Sequence, residues 1–334
     1  MARIRAAFPP AGAVVGIGDD AAVLAPRGRI VVTTDLLLEG VDFTAAVPLG
    51  FVAEKSLAAN LSDLAAMGAR PRWFVLSIGC PRERLRELET FVDALARASG
   101  RWRVGLVGGD LSSARDLTIS IAAIGELDES VDPLLRSGGH AGDAVFVSRP
   151  LGGAAAGLHL LRRGWTIDAA GAVRPPADLP VTPGFAQKEF AQSALRRQVA
   201  PEPESDLGVA LAAGRLATAC IDVSDGLSTD LHRLCEASGC GAVVEWERVP
   251  RFPDIEGAGF SVGVVDPERA VLHGGEEFAL LFTSSRREGE LSSMLGRPIY
   301  RIGRLTTDAG VRLVRDGVEG ELAAEGFDHF GNTK

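Results

Sequence analysis

Two hydrophobic patterns alternate along the first half of the chain. Continuous apolar runs typical of buried strands occur at RIVVTTD, RWFVLSIGC, VGLVGGDLSS and LTISIAAIGEL. Residues 51–68 instead place Leu57, Leu61 and Leu64 on one stripe and end at Gly68, which predicts a helix. RERLRELETFVDALARASG predicts a second amphipathic helix that ends at its glycine. We expect the first strand to end at Thr33, Thr34 and Asp35.

The alternation resumes after GGHAGDAVFVS, where turn residues precede a new buried strand. Further strands are predicted at ACIDVSDG, GAVVEW, FALLFT and YRIGRL, and a helix at STDLHRLCEASG. The proline-rich stretch from Arg174 to Pro203 is expected to be in part an exposed excursion. The pattern favours two α/β domains divided near residue 135.

Chain length, net charge and cysteine content exclude several classes of protein. The 334 residues suffice for two globular domains. The 35 basic and 44 acidic residues give a net charge of −9, which argues against binding to a nucleic-acid backbone. The first residues lack the apolar core of a signal peptide, and no apolar run is long enough to cross a membrane. The four cysteines form no CxxC pair, so we expect reduced thiols in a cytoplasmic protein.

Common nucleotide and hydrolase motifs are missing. GxxxxGK[ST] does not occur, and the chain has only three lysines, which excludes a P-loop. GIGDDA (16–21) matches the GxGxxA pattern of dinucleotide-binding proteins, but a single match is weak and its two aspartates would face the pyrophosphate. There is no GxSxG elbow and no histidine pair at metal-binding spacing.

Aspartates recur instead at the ends of apolar runs, beside glycine, serine or threonine. The five segments carry Asp19 and Asp20, Asp35, Asp110, Asp222, and Asp225. Ligands bind where strands end in open α/β sheets, and carboxylates are preferred ligands of magnesium. For each aspartate alone a turn or helix-capping role is the stronger alternative. Together they predict a shared acidic site that holds metal ions. Asp230, one turn into the following helix, is expected to be solvated or part of the first helical turns.

Three other features leave alternatives open. Asp63 shares a helix face with Ser56, Asn60 and Met67, either as a solvated polar stripe or as a carboxylate held toward the acidic site. RPLGGAAAGL either cradles phosphate at a helix N-terminus or packs a helix closely on a sheet. In HGGEEFALLF, successive strand residues face opposite sides, so at most one of Glu276 and Glu277 should point into a site.

The chain resembles the thiamine-monophosphate kinases, members of the superfamily of aminoimidazole-ribonucleotide synthetase. The resemblance rests on segments that run in order from residue 16 to residue 330. They are GIGDDAAVL, TTDLLLEGVDF, KSLAANLSDLAAMGARP, LVGGD, RSGGHAGDAVFVS, LGGAAAGL, IDVSDGLSTDL, GGEEFALLF and GFDHF. NLSDLAAMGA and DVSDGL are highly specific, and GFDHF favours the kinases over their relatives. The marks of those relatives, a C-terminal cysteine or a reactive cysteine in an N-terminal glycine-rich loop, are absent.

The resemblance implies an α/β (α+β) fold of two domains, like that of aminoimidazole-ribonucleotide synthetase. Residues 1–134 would bind ATP and metal and pair their sheet with a second copy in a homodimer, and residues 135–334 would complete the site. The residues implied to hold several Mg²⁺ ions are Asp20, Thr33, Thr34, Asp35, Asp63, Asp110, Asp222 and Asp225. Those implied to contact ATP are Gly109, Asp110, Arg136 and Ser224, and those implied to contact thiamine monophosphate are Asp42, Glu276 and Phe327.

The implied reaction is transfer of the γ-phosphoryl group of ATP to thiamine monophosphate, without a general base. The chain departs from the family pattern mainly on the acceptor side, with Asp42 in place of histidine and Glu204 in place of arginine. In this chain GGD is followed by Leu111 where the family has threonine, and the family's GGED is replaced by GGEE. The alternatives are therefore a sister ATP-dependent enzyme with another acceptor, and a non-catalytic ATP-binding homologue.

Overall fold

The first half of the chain forms a four-stranded sheet covered by helices. The structure is a computed structural model that describes residues 2–8, 12–177, 179, 183–263 and 266–330. The elements of this half are α1 (Ala2–Ala7), β1 (Arg29–Leu38), α2 (Leu49–Ala66), β2 (Arg70–Cys80), α3 (Leu88–Trp102), β3 (Gly105–Ser113) and β4 (Thr118–Leu127). The strand order is β1-β4-β2-β3, with β2 and β3 parallel and the other pairs antiparallel.

Strand β1 is longer than its sequence predicted. It continues to Leu38 because it pairs with β4 from Arg29 opposite Leu127 to Leu38 opposite Thr118. The prediction that it ends at Thr33–Asp35 is therefore wrong, and these polar residues lie within the strand. The alternation of side chains along a strand puts Thr33 and Asp35 on one face and Thr34 on the other.

The second half forms a seven-stranded sheet with helices around it. Its elements are β5 (Ala144–Val147), α4 (Gly153–Arg162), β6 (Thr166–Ile167), β7 (Val173–Arg174), α5 (Phe185–Val199), α6 (Ser205–Ala213), β8 (Ala219–Asp222), α7 (Leu227–Ser238), β9 (Gly241–Glu245), α8 (Pro267–His273), β10 (Leu280–Ser284), α9 (Glu288–Leu295), β11 (Tyr300–Thr306), β12 (Val311–Arg315) and β13 (Val318–Glu321). The sheet order is β13-β12-β9-β11-β5-β10-β8, and β6 pairs with β7.

One helix was not predicted, and the end of another differs from its prediction. The proline-rich stretch contains the regular helix α5, which begins at Phe185 after the last proline of its first cluster and buries Phe190, Ala194 and Leu195. Residues 178 and 180–182 of this stretch lie outside the described residues. Helix α3 passes through Gly100 and ends at Trp102, where Arg103 adopts the left-handed conformation with φ 55°.

Helix α2 joins the two halves of the molecule. Leu57, Leu61 and Leu64 are fully buried, as the apolar stripe predicted, and the helix packs against β1 and β4 on one side and α6 and β8 on the other. A side chain at Gly208 of α6 would meet the Ala65 carbonyl oxygen at 2.0 Å, so glycine permits this close approach. The polar residues of α2 are thereby placed between β1 and β8. No helix in the described ranges is long and apolar enough to span a membrane.

Candidate active site

An acidic cluster lies where α2 meets both sheets. It consists of Asp35 of β1, Asp63 of α2 and Asp222 at the end of β8. The Thr33 hydroxyl donates to Asp63 at 2.5 Å, and the Ser62 hydroxyl donates to Asp222 at 2.6 Å. Three elements distant in sequence therefore bring three carboxyls close enough for their charges to interact.

Burial disfavours the charged form of all three carboxyls. It is the largest cause that raises the pKa of Asp35 to about 7, with the Asp63 and Asp42 charges adding to the rise. Burial and then Asp63 raise the pKa of Asp222 to about 8. The pKa of Asp63 is also raised by burial, against the Thr33 hydrogen bond and the Arg136 charge, which lower it. One Asp35 oxygen is buried with no hydrogen-bond partner among the described residues.

The polar face of α2 is buried and is not exposed to solvent. Ser56 and Asn60 are fully buried, and they hydrogen-bond to the backbone carbonyls of Ala53 and Ser56. Buried polar groups on a helix need such partners. Asp63, on the same face, extends to Thr33 of the neighbouring strand. The solvated alternative for this face is therefore wrong.

The loop after β8 is fixed by Asp230. This carboxylate is fully buried and accepts hydrogen bonds from the backbone N–H groups of Ser224, Asp225 and Gly226 at 3.0–3.1 Å. Arg233, one turn further along α7, bonds both Asp225 and Asp230. Asp230 therefore belongs to the first helical turns, as one alternative held, and is not solvated. Asp225 already has a cationic partner within the chain.

Among the described residues, no hydrogen bond or ion pair joins Asp20, Asp110 or Thr34 to the acidic cluster. Asp110 is exposed on β3 and accepts a hydrogen bond from Ser112 at 2.9 Å, and Asp20 is exposed in the loop before β1. The Thr34 hydroxyl donates to the Ile121 carbonyl of β4 at 3.0 Å. Within the described residues, no three histidine, cysteine, aspartate or glutamate side chains are close enough to hold one metal ion.

An apolar cavity lies beside Gly109 and Asp110. It measures about 150 Å³, and its lining includes Ile17, Leu76 and Leu106. A side chain at Gly109 would meet the Leu76 carbonyl oxygen at 2.0 Å, so this strand position requires glycine. The polar side chains that line this otherwise apolar cavity are Asp110 of β3 and Glu89 of α3.

Two of the three residues expected to contact the acceptor, Asp42 and Glu276, contact one buried lysine. Lys55 of α2 forms an ion pair with Glu276 at 2.5 Å and donates to the Asp42 carbonyl at 3.2 Å. The Asp42 carboxylate itself accepts from the Leu38 N–H at 2.8 Å, in the turn that follows β1. Phe327 is partly exposed, and its N–H donates to the Asp225 carbonyl at 2.9 Å.

Glu277 and Glu204 have structural partners. Glu277 is fully buried and accepts from the N–H groups of Gly152 and Ala154 at 2.9 and 2.8 Å, so its carboxylate occupies the N-terminus of α4. This supports the packing interpretation of the glycine-rich segment and leaves Glu276 as the glutamate of the pair with a partly exposed side chain. Glu204 is buried between Arg149 and Arg297.

Sequence reasoning missed four residues of this region, namely Ser62, Lys55, Gln198 and Arg233. Lys55 carried a usable signal, because a lysine within a helix of mostly apolar residues requires a partner. Arg233 follows Asp230 by three positions, which is the spacing of a helical ion pair. Ser62 and Gln198 reach partners more than 70 positions away, and no local pattern indicates such contacts.

Comparison with known proteins identifies the family. The N-terminal domain of AIR synthase related protein matches residues 18–127, and the C-terminal domain matches residues 140–316. The sequence is 33% identical over 327 residues to the thiamine-monophosphate kinase of Escherichia coli K12, across 95% of this chain and 92% of that protein. This chain belongs to the thiamine-monophosphate kinase family.

Solved structures of thiamine-monophosphate kinases share the fold. The enzyme from Stenotrophomonas maltophilia superposes with a TM-score of 0.79 at 33% identity and covers 96% of both chains. AaThiL in complex with AMPPCP and TMP superposes with a TM-score of 0.76 at 28% identity and covers 94% of this chain and 92% of that one. The predicted family and the two-domain mixed α/β fold are thus confirmed. The domain boundary at 134/135 stays a prediction, and it falls between the last strand of one sheet and the first of the other.

Proposed function

We propose that this chain phosphorylates thiamine monophosphate with ATP, giving thiamine diphosphate and ADP. The observation that carries the proposal is the acidic cluster of Asp35, Asp63 and Asp222 at the junction of the two sheets. The family supports it, since AaThiL has been solved with an ATP analogue and thiamine monophosphate together. In the transfer, an acceptor phosphate oxygen forms a bond to the γ-phosphorus as the bond to the ADP oxygen breaks.

We assign ATP to the side of the molecule between β3 and the acidic cluster. The apolar cavity beside Gly109 and Asp110 has a lining suited to a purine ring. Arg136 lies close enough to Asp63 to lower its pKa, so its guanidinium can meet phosphate oxygens near the cluster. Ser224, at the loop held by Asp230, would contact the phosphates from the other domain.

The carboxylates suit magnesium ions. Three partly or fully buried carboxyls with raised pKa values, one unpartnered oxygen and no ion pair among the described residues are a donor set suited to a cation. Asp35, Asp63 and Asp222 would hold Mg²⁺ together with Thr33, and Asp20, Thr34, Asp110 and Asp225 are the further candidates. The chemistry supplied by bound Mg²⁺ is neutralisation of the phosphate charge during in-line transfer.

The protein's own contribution is to position two anions. A phosphate acceptor is already ionised near neutral pH, so no side chain has to remove a proton. Two like unit charges ~4 Å apart repel by about 4 kcal/mol at an effective dielectric of ~20, and here both groups carry more than one charge. Arg136 and the rigid elements α2, β1 and β8 would fix the donor phosphates, while Glu276 and Phe327 hold the organic part of the acceptor.

We also propose a homodimer that works in the cytoplasm. β1 is an edge strand, and it exposes Ile30, Val32, Leu36 and Leu38 along one face. An exposed apolar row on a sheet edge suits pairing with a second copy. The four cysteines are free, which suits a reducing compartment. Light scattering on Leu36→Glu should show monomers where the wild type shows dimers.

The direct test is magnesium-dependent ADP release with and without thiamine monophosphate, with the product identified by chromatography. One thiamine diphosphate per ADP is expected. ADP release only with a different acceptor would identify a sister activity on the same fold. Binding of magnesium and ATP without turnover of any acceptor would identify a regulatory homologue, and either result would overturn the proposal.

A further inference from the structure

A buried ammonium links the two halves of the molecule on the acceptor side. Lys55 lies on α2, its residue is 5% exposed, and its ion-pair partner Glu276 lies in the loop before β10. The second contact of the ammonium is the carbonyl oxygen of Asp42, in the turn after β1. One side chain thus connects three segments that are remote in sequence.

Both oxygens of Glu276 are held from within the protein. Lys55 approaches one oxygen at 2.5 Å, and the side-chain amide of the buried Gln198, on α5, donates to the other at 2.5 Å. The backbone of Glu276 is fixed as well, because its N–H donates to the Ser224 carbonyl at 2.7 Å and its φ is 61°. A glutamate in the left-handed region is strained, so the surrounding contacts must hold it there.

Stability alone explains this arrangement poorly. Taking an ammonium out of water is costly, and a well-packed apolar pair often stabilises a fold as well as a buried ion pair does. The Glu276 side chain, by contrast, remains 30% exposed. A carboxylate oriented on one side and open on the other can accept a hydrogen bond from a ligand N–H group or face a cationic ring.

We infer that Lys55 is a positioning residue for the acceptor. It orients the Glu276 carboxylate toward the organic part of the acceptor, and so sets the affinity for that substrate and not for ATP. This inference rests on the proposed function, since thiamine monophosphate carries both an amino group and a cationic ring. Gln198 fixes the second oxygen and assists in the same orientation.

The test compares Lys55→Met, Glu276→Gln and the double variant with the wild type. In Lys55→Met, the KM for thiamine monophosphate should rise roughly tenfold, as expected for the loss of one charged hydrogen bond. The KM for ATP should stay within about twofold of the wild-type value, because the lost contact affects binding of thiamine monophosphate and not binding of ATP. Lys188→Met, an exposed lysine on α5, is the matched control and should change neither constant.

The double variant separates positioning from folding. Each single change leaves a charge without its partner, and the double change removes both charges, so its melting temperature should return toward that of the wild type. Its KM for thiamine monophosphate should stay high. Recovery of that KM together with the melting temperature, or an equal rise of both KM values in Lys55→Met, would overturn the inference alone. Absence of thiamine diphosphate in the wild-type assay would overturn the proposed function and the inference with it.

Discussion

Acidic side chains in the acidic cluster and on the acceptor side of the candidate site differ in their partners within the fold. In the acidic cluster, Asp63 and Asp222 accept hydrogen bonds from hydroxyl groups, and among the described residues no ion pair reaches Asp35, Asp63 or Asp222. Burial raises the pKa values of all three, and only the more distant charge of Arg136 lowers that of Asp63. On the acceptor side and in the loop after β8, three of the acidic side chains, Glu276, Asp225 and Asp230, have cationic partners. Lys55 pairs with Glu276, and Arg233 bonds both Asp225 and Asp230.

The difference indicates which kind of ligand each region is suited to bind. A carboxylate with its own lysine or arginine is neutralised before any ligand arrives, so it can hold a fixed position. Carboxyls that lack a cation favour protonation in the free protein and gain most from an external positive charge. The acidic cluster is therefore suited to metal ions, and the acceptor side to orientation of an organic substrate.

The largest expected effect comes from removing a charge in the acidic cluster. Asp63→Asn should lower kcat/KM by at least about a thousandfold, because a weaker metal-binding group leaves the phosphate repulsion uncompensated. The fold should persist, since the amide oxygen can still accept from Thr33. Steady-state ADP formation measures the change, and Asp116→Asn, a surface carboxylate paired only with Arg115, is the control. Near-normal turnover in Asp63→Asn would contradict a role for the cluster.

A second prediction concerns the stability of the protein without ligands or metal. The folded pKa values of Asp35 and Asp222, about 7 and about 8, lie above their ordinary value of 3.8. Folding therefore favours the protonated forms, and the associated stability is complete below pH ~4 and lost as the pH rises toward 8. The free energy of unfolding should fall over that range, and the two shifts set an upper bound of roughly 10 kcal/mol on the loss.

Urea unfolding at several pH values measures this loss. Asp222→Asn removes one of the two carboxyls, so its unfolding free energy should depend less on pH than that of the wild type. The amide can still accept the hydrogen bond from Ser62. Identical pH dependence in the two proteins would contradict the raised pKa of Asp222.

The smallest effect is expected at Asp225, whose carboxylate already pairs with an arginine of the protein. Arg233→Met removes the guanidinium that competes for Asp225. The magnesium concentration at half-maximal rate should then fall roughly threefold, in line with ~0.7 kcal/mol for a partly exposed ion pair. Arg115→Met on the surface should leave that concentration unchanged. An increase in the magnesium requirement would mean that Arg233 assists metal binding instead of competing with it.

Much of this site was predictable from local patterns. The stripe of Leu57, Leu61 and Leu64 predicted α2, and the aspartates beside glycine and serine indicated a shared acidic region. Pairing was harder to foresee, because β1 extends to Leu38 only through its register with β4. Helix α5 was not predicted, because it lies within the proline-rich stretch and begins only after the first cluster of prolines.

The remaining misses concern long-range partners. For Asp230 the sequence left two alternatives, a solvated side chain or a place in the first helical turns, and only the folded loop shows three backbone N–H groups donating to it. The pairing of Lys55 with Glu276 joins residues 221 positions apart, so it depends on how the two halves pack. The sequence around Lys55 indicates that the lysine needs a partner, but which residue that partner is depends on the tertiary structure.

Proton release on ligand binding tests the central claim most directly. Calorimetric titration with the magnesium complex of a non-hydrolysable ATP analogue, at pH 7.5 in buffers of different ionisation enthalpy, counts the protons released. Carboxyls with pKa values of about 7 and about 8 are partly protonated there. The account predicts release of about one proton per bound nucleotide, and less in Asp222→Asn. A binding enthalpy independent of the buffer would show that no proton leaves, which would contradict the assignment of the acidic cluster as the metal site.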